Sequence, residues 1–139
     1  MAFPDSQTRL APLIERLTAR LPSLVGVYRF GSFNTRDERA ASDIDMGLLG
    51  TRPFDPVRLF ELAGELATLA RRDIDLVDMM TCSTVMRAQI VATGELVYCS
   101  NAFACEDFAT TAYSQYAHLN ESRRGILEDI RARGSVYGR

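Results

Sequence analysis

The chemistry-bearing residues of this 139-residue chain are two aspartates, Asp43 and Asp45, and a Gly-Ser step, Gly31-Ser32, separated from them by ten residues. An apolar run, LVGVYRF, ends at Gly31, and a second apolar segment opens on Asp43-Ile44-Asp45. Side chains alternate along a strand, so Asp43 and Asp45 project to one side, about 6 to 7 Å apart. Two bare carboxylates at that spacing repel by about 2 to 3 kcal/mol at an effective dielectric near 20. A chain that keeps them together calls for a cation, and hard oxygen ligands suit Mg²⁺. Glycine between a strand and a helix lets backbone N–H groups approach a phosphate, and a helix N-terminus behind it favours negative charge.

The flanking periodicities supply the elements that must hold these groups. Leu10, Leu13, Ile14, Leu17 and Leu21 repeat at helical spacing over 6–20, with Pro12 placing the true start near Leu10. Leu24 to Phe30 reads as a strand, Ser32 to Arg36 as a short helix behind the phosphate turn, and Thr35 to Ser42 as a charged surface loop. Asp43 to Leu49 is a second strand, stopped by Gly50. Asp55-Pro56 marks a helix start, with Asp as N-cap and Pro at the first helical position. Its apolar stripe is Leu59, Leu62, Ala63, Leu66, Leu69 and Ala70, and Arg71-Arg72 suit its C-terminal end. Ile74 to Met79 alternates as a third strand, Thr84 to Thr93 is a helix ended by Gly94, and Glu95 to Cys99 is a fourth strand. From Asn101 to Arg133, Phe108, Ala112, Tyr116, Leu119, Ile126, Leu127 and Ile130 recur at three- and four-residue steps. If unbroken, that segment spans about 45 Å, with Gly125 a plausible break and Gly134 a stop. The pattern is α/β, with a small mixed sheet, helices packed mainly on one face and a long C-terminal helical segment.

Composition bounds the rest. The length fits one domain over 1–139, with a core at about 24–99 and the helical segment at about 101–134. A net charge of -2 gives no general attraction to nucleic acid, and no direct binding to it is expected. Cys82, Cys99 and Cys105 are odd in number and lack zinc-ligand spacing, as expected of reduced thiols in a cytoplasmic protein. MAFPDSQTRL has no apolar signal core, and no segment reaches the length of a membrane span. His118 stands alone on a helix, and Tyr113, Tyr116 and Tyr137 read as packing or interface residues.

Glycine-serine, ten residues, then Asp-x-Asp resembles the signature of the nucleotidyltransferase superfamily related to DNA polymerase beta. The short chain is similar to its minimal branch, the MNT-domain antitoxins that partner HEPN-domain toxins. The resemblance covers Leu24 to about Cys99 and implies the superfamily's palm architecture. It implies that Asp43 and Asp45 bind metal, in all two Mg²⁺ ions, and that Ser32 bonds a phosphate oxygen beside the Gly31 backbone. IDLV matches the family's third-acid strand, which makes Asp75, rather than Asp73 or Asp78, the third metal ligand and the group that helps deprotonate the attacking hydroxyl. Where relatives carry a small residue and then Arg-Gly, this chain has Asn34, Thr35, Arg36 and Asp37. Arg36 or Arg39 is then the candidate for the triphosphate, with a solvated loop charge the alternative for either.

The implied reaction is transfer of AMP from ATP to a tyrosine hydroxyl of a cognate HEPN ribonuclease toxin, which neutralises it. A chain this short has no second domain to grip a template or a small acceptor, so the acceptor must lie largely outside it. Two other readings stay open: an antitoxin that acts by stoichiometric binding without catalysis, and nucleotidyl transfer to a small molecule.

Overall fold

The elements follow from those periodicities. In the computed structural model, which describes residues 6–33, 35, 36, 38, 39 and 42–133, their order is α1 (Ser6–Arg20), β1 (Leu24–Phe30), β2 (Ile44–Gly50), α2 (Pro56–Ala70), β3 (Ile74–Asp78), α3 (Thr84–Thr93), β4 (Glu95–Cys99) and α4 (Ala102–Arg133). The Asp55 carboxylate caps α2 by accepting from the Val57 N–H at 3.1 Å, and the Ser83 hydroxyl caps α3 by accepting from the Met86 N–H at 3.1 Å. Arg71 closes α2 in the left-handed conformation at φ 57° and donates its N–H to the Ala67 carbonyl.

Three sequence expectations change. Helix α1 runs through Pro12 instead of starting near Leu10. The proline forfeits one intrahelical bond, but Leu10, Leu13, Leu17 and Leu21 are all buried in the main core and hold the helix in place. The short helix over 32–36 does not form, and its described residues are turns and bends. Helix α4 is continuous through Gly125, where a side chain would meet nothing within 4 Å. One exposed glycine costs a helix about 1 kcal/mol, too little to break a run of this length. Asn34, Asp37, Gly134 and Tyr137 lie outside the described residues.

The four strands form one mixed sheet in the order β3-β2-β1-β4, with β2 and β3 parallel and both pairs involving β1 antiparallel. Ile44, Met46 and Leu48 point from β2 into the main core, against Leu59, Leu62 and Leu66 of α2 and the leucines of α1. Positions 45, 47 and 49 therefore face the other way. That second face is covered in part, by Ile90 of α3 and Met79 over Tyr28, and by Cys105 of α4 against Val25 and Leu49. Its corner at the start of β2 and β3 carries Asp45 and the exposed Asp75.

Much of α4 beyond Ala112 stands in solvent, with Ile126 59% and Leu127 58% exposed. His118 and Tyr113 are exposed along it. Among the described residues, no helix is long and apolar enough to cross a membrane.

Leu66 is 0% exposed at the centre of the α2–sheet contact. Leu66→Ala is expected to lower the unfolding free energy by about 2 to 5 kcal/mol, read by urea denaturation followed by circular dichroism.

Candidate active site

Strand β1 delivers the Gly-Ser step to the acids by simple register. Its last residue, Phe30, is the Cα partner of Asp45 on β2, so Gly31 emerges directly beside that carboxylate. Gly31 has φ 75°, in the left-handed region, and a Cβ there would run into Asp45 Oδ2 well inside van der Waals contact. The position thus needs glycine for two independent reasons, its backbone conformation and its closeness to the acid.

Asp45 is in turn the Cα partner of Asp75 across the parallel β2–β3 pair. Paired residues share a face, so both carboxylates project from the same side of the sheet on adjacent strands. Asp43, exposed just before β2, belongs to that side by alternation. Burial pushes the Asp45 carboxyl above the usual carboxylate range, and the negative charges of Asp75 and Asp43 push it further the same way. The three acids of the sequence reading are one electrostatic group.

Asp78 is occupied elsewhere. Its carboxylate accepts from the backbone N–H of Phe54 at 2.8 Å and of Met80 at 2.9 Å, fixing the turns on either side of it. Asp73 lies before β3, with its carbonyl accepting from the Ile44 N–H at 2.9 Å.

With no helix behind Ser32, other contacts shape the loop to Asp43. The Thr35 N–H donates to the Ser32 carbonyl at 3.1 Å, and the Thr35 hydroxyl donates to the same oxygen at 2.5 Å. Phe33 is 3% exposed, lying under the guanidinium groups of Arg9, 4.1 Å from its ring centre, and Arg72, at 5.3 Å. Glu38 ties the two cations together, accepting two bonds from Arg9 at 2.7 and 2.8 Å and one from Arg72 at 2.8 Å. The loop is thereby pinned to α1 and to the approach to β3. Arg36 and Arg39 are both exposed on it.

Sequence reading missed Arg29. It sits on β1, 8% exposed, and its guanidinium donates to the carbonyls of Gly31 and Phe33. An arginine inside an otherwise apolar strand was the available signal, because a buried charge requires partners. Also missed were Met86, Gln89 and Thr93 of α3, which with Phe30, Gly31 and Ile90 line a hollow of about 300 Å³ beside the turn. A larger hollow of about 620 Å³ reaches Asp75 from the exposed side of α2, past Phe60 and Gly64.

Among the described residues, no three His, Cys, Asp or Glu side chains are gathered closely enough to hold a metal ion as they stand. The donors nevertheless fit a hard divalent ion in kind, being all carboxylate oxygen on one sheet corner, with Asp45 carrying the strain of their like charge.

Comparison with known proteins bears on this arrangement. Residues 13–103 match the family described as Polymerase beta, Nucleotidyltransferase. Over 120 residues the chain is 34% identical to the protein adenylyltransferase MntA of Shewanella oneidensis, covering 86% of each protein. A crystal structure of a toxin-antitoxin with AMP-PNP superposes with a TM-score of 0.77 at 31% identity, over 91% of this chain and 99% of that one. A structure of the tri-AMPylated Shewanella oneidensis HEPN toxin in complex with MNT antitoxin gives 0.75 at 33% identity, over 90% of this chain and 98% of that one. The family match over 13–103, together with 34% identity over 86% of each protein, makes the chain a member of the polymerase beta nucleotidyltransferase family, on the branch that contains MntA.

Proposed function

We propose that this chain is an antitoxin that transfers AMP from ATP to a tyrosine hydroxyl of a HEPN-domain toxin and so silences it. The observation that carries the reading is the Gly31 turn packed on Asp45, with Asp75 and Asp43 as the charges around it. The toxin as acceptor rests on the MntA relative and on the tri-AMPylated toxin found with an MNT antitoxin.

In this reading Ser32 donates its hydroxyl to a phosphate oxygen of ATP, beside the open backbone of Gly31. The tyrosine oxygen attacks the α-phosphorus, the bond to the bridging oxygen of the β-phosphate breaks, and pyrophosphate leaves. Asp43, Asp45 and Asp75 would hold Mg²⁺, which when bound neutralises the phosphates and the developing charge on the leaving oxygen. In the same reading Asp75, which is exposed on the edge strand β3, helps to take the phenolic proton of an acceptor arriving from outside. Arg36 is the loop cation nearest in sequence to the phosphate turn, and we assign it to the triphosphate. The domain is one unit over 1–139, acting in the cytoplasm.

The test compares the intact mass of the toxin after incubation with Mg-ATP and either the wild-type chain or the Asp43→Ala/Asp45→Ala double variant. Wild type is expected to add adenylyl groups and the folded variant to add none, with neutralisation lost in parallel; Asp75→Asn should slow transfer by at least about a hundredfold. Neutralisation by the double variant at equal expression would instead indicate stoichiometric binding.

The raised Asp45 carboxyl also fixes a pH dependence. A carboxyl whose folded value lies above its unfolded value contributes stability at acid pH and loses it as pH rises through the folded value. At neutral pH the ionised Asp45 is therefore a liability in the metal-free protein. Asp45→Asn is expected to raise the metal-free melting temperature at pH 7, with the difference from wild type shrinking on acidification. An unchanged or lower melting temperature at pH 7 would contradict this.

A further inference from the structure

Arg29 is the one buried charged residue in the core of the described chain, and it lies two positions before the Gly-Ser step. Its Nη1 donates to the Gly31 carbonyl at 3.2 Å and to the Phe33 carbonyl at 3.0 Å, so the two bonds bracket Ser32. Its Nε faces Glu95 Oε1 at 3.5 Å, a looser contact with a carboxylate that is half exposed. The strand fixes the direction of approach. Phe30 shares a face with its partner Asp45, so Arg29 reaches the turn from the opposite face.

We propose that Arg29 is a positioning residue for ATP, holding the Gly31–Phe33 turn in the conformation that presents Ser32 to the phosphates. A trans peptide sets its N–H opposite its C=O. With the Gly31 carbonyl held by the guanidinium, the Ser32 N–H is directed away from Arg29, towards the face that carries Asp45. The left-handed Gly31 is what turns that peptide over, and the guanidinium is what keeps it turned. Among the described residues after Ser32 none is helical, so the turn is fixed here by a side chain. Both bonds leave one nitrogen, Nη1, whose two hydrogens diverge in the fixed plane of the guanidinium.

This inference rests on the nucleotidyltransferase reading above, and the experiment separates the two. Steady-state transfer to the toxin and calorimetric binding of a non-hydrolysable ATP analogue are measured for wild type, Arg29→Gln and Arg29→Lys, with melting temperatures for each. Arg29→Gln is expected to raise both the KM for ATP and the Kd for the analogue by about tenfold or more, while the KM for the toxin stays at the wild-type value. Arg29→Lys is expected to recover part of that loss; should Arg29→Gln fail to fold, the same ATP-specific rise in Arg29→Lys carries the test. A variant with lowered melting temperature but wild-type KM for ATP and Kd would overturn the inference, leaving Arg29 as a structural residue only. Failure of the wild-type chain to bind nucleotide at all would overturn the nucleotidyltransferase reading and this inference with it.

Discussion

The constraint on which the rest depends is the closeness of the Asp45 carboxylate to Gly31, where any Cβ would collide with Oδ2. It joins a left-handed turn to a carboxyl pushed towards its neutral form by burial and by the charges of two further acids. Such a junction is poorly satisfied in the free protein. In the proposed function a cation between the carboxylates and a phosphate over the turn would each offset the charge of the other. The fold leaves room for both by covering that face of the sheet only in part.

The rest of the architecture serves this corner. Register across β1, β2 and β3 places Phe30, Asp45 and Asp75 in one row. The main core of α1, α2 and the opposite sheet face makes that row rigid. Arg9, Arg72 and Glu38 clamp Phe33 in the loop that joins the two halves of the motif, and Arg29 braces the turn from behind. Ion pairs of this kind contribute little when exposed, but these are half-buried around an aromatic ring and act as a network. These supports are paired, while burial and the neighbouring acids work against the ionised form of Asp45.

Strands and caps were legible because local chemistry dictates them. An apolar run ended by Gly31 gave β1, Asp55-Pro56 gave the start of α2, and Gly94 gave the end of α3. The spacing of Gly31, Asp43 and Asp45 identified the corner, since a two-residue period puts alternate residues on one face whatever the surroundings. Where the outcome depended on distant partners, local reading failed. Pro12 is carried inside α1 by leucines packed on other elements, and the absence of a helix after Ser32 reflects a loop held by Arg9, Arg72 and Glu38, residues far apart in sequence. The role of Arg29 was hidden for the same reason, because its partners are backbone carbonyls whose direction no sequence pattern records.

The central claim is that a divalent cation and a phosphate together relieve the repulsion at this corner. The direct measurement is thermal unfolding of the wild-type chain with a non-hydrolysable ATP analogue, in the presence of either millimolar MgCl₂ or a chelator. The account predicts a clear rise in melting temperature with analogue and Mg²⁺ together, little with either alone, and none in an Asp43→Asn/Asp45→Asn variant. An equal rise with the analogue in chelator, retained by that variant, would contradict it.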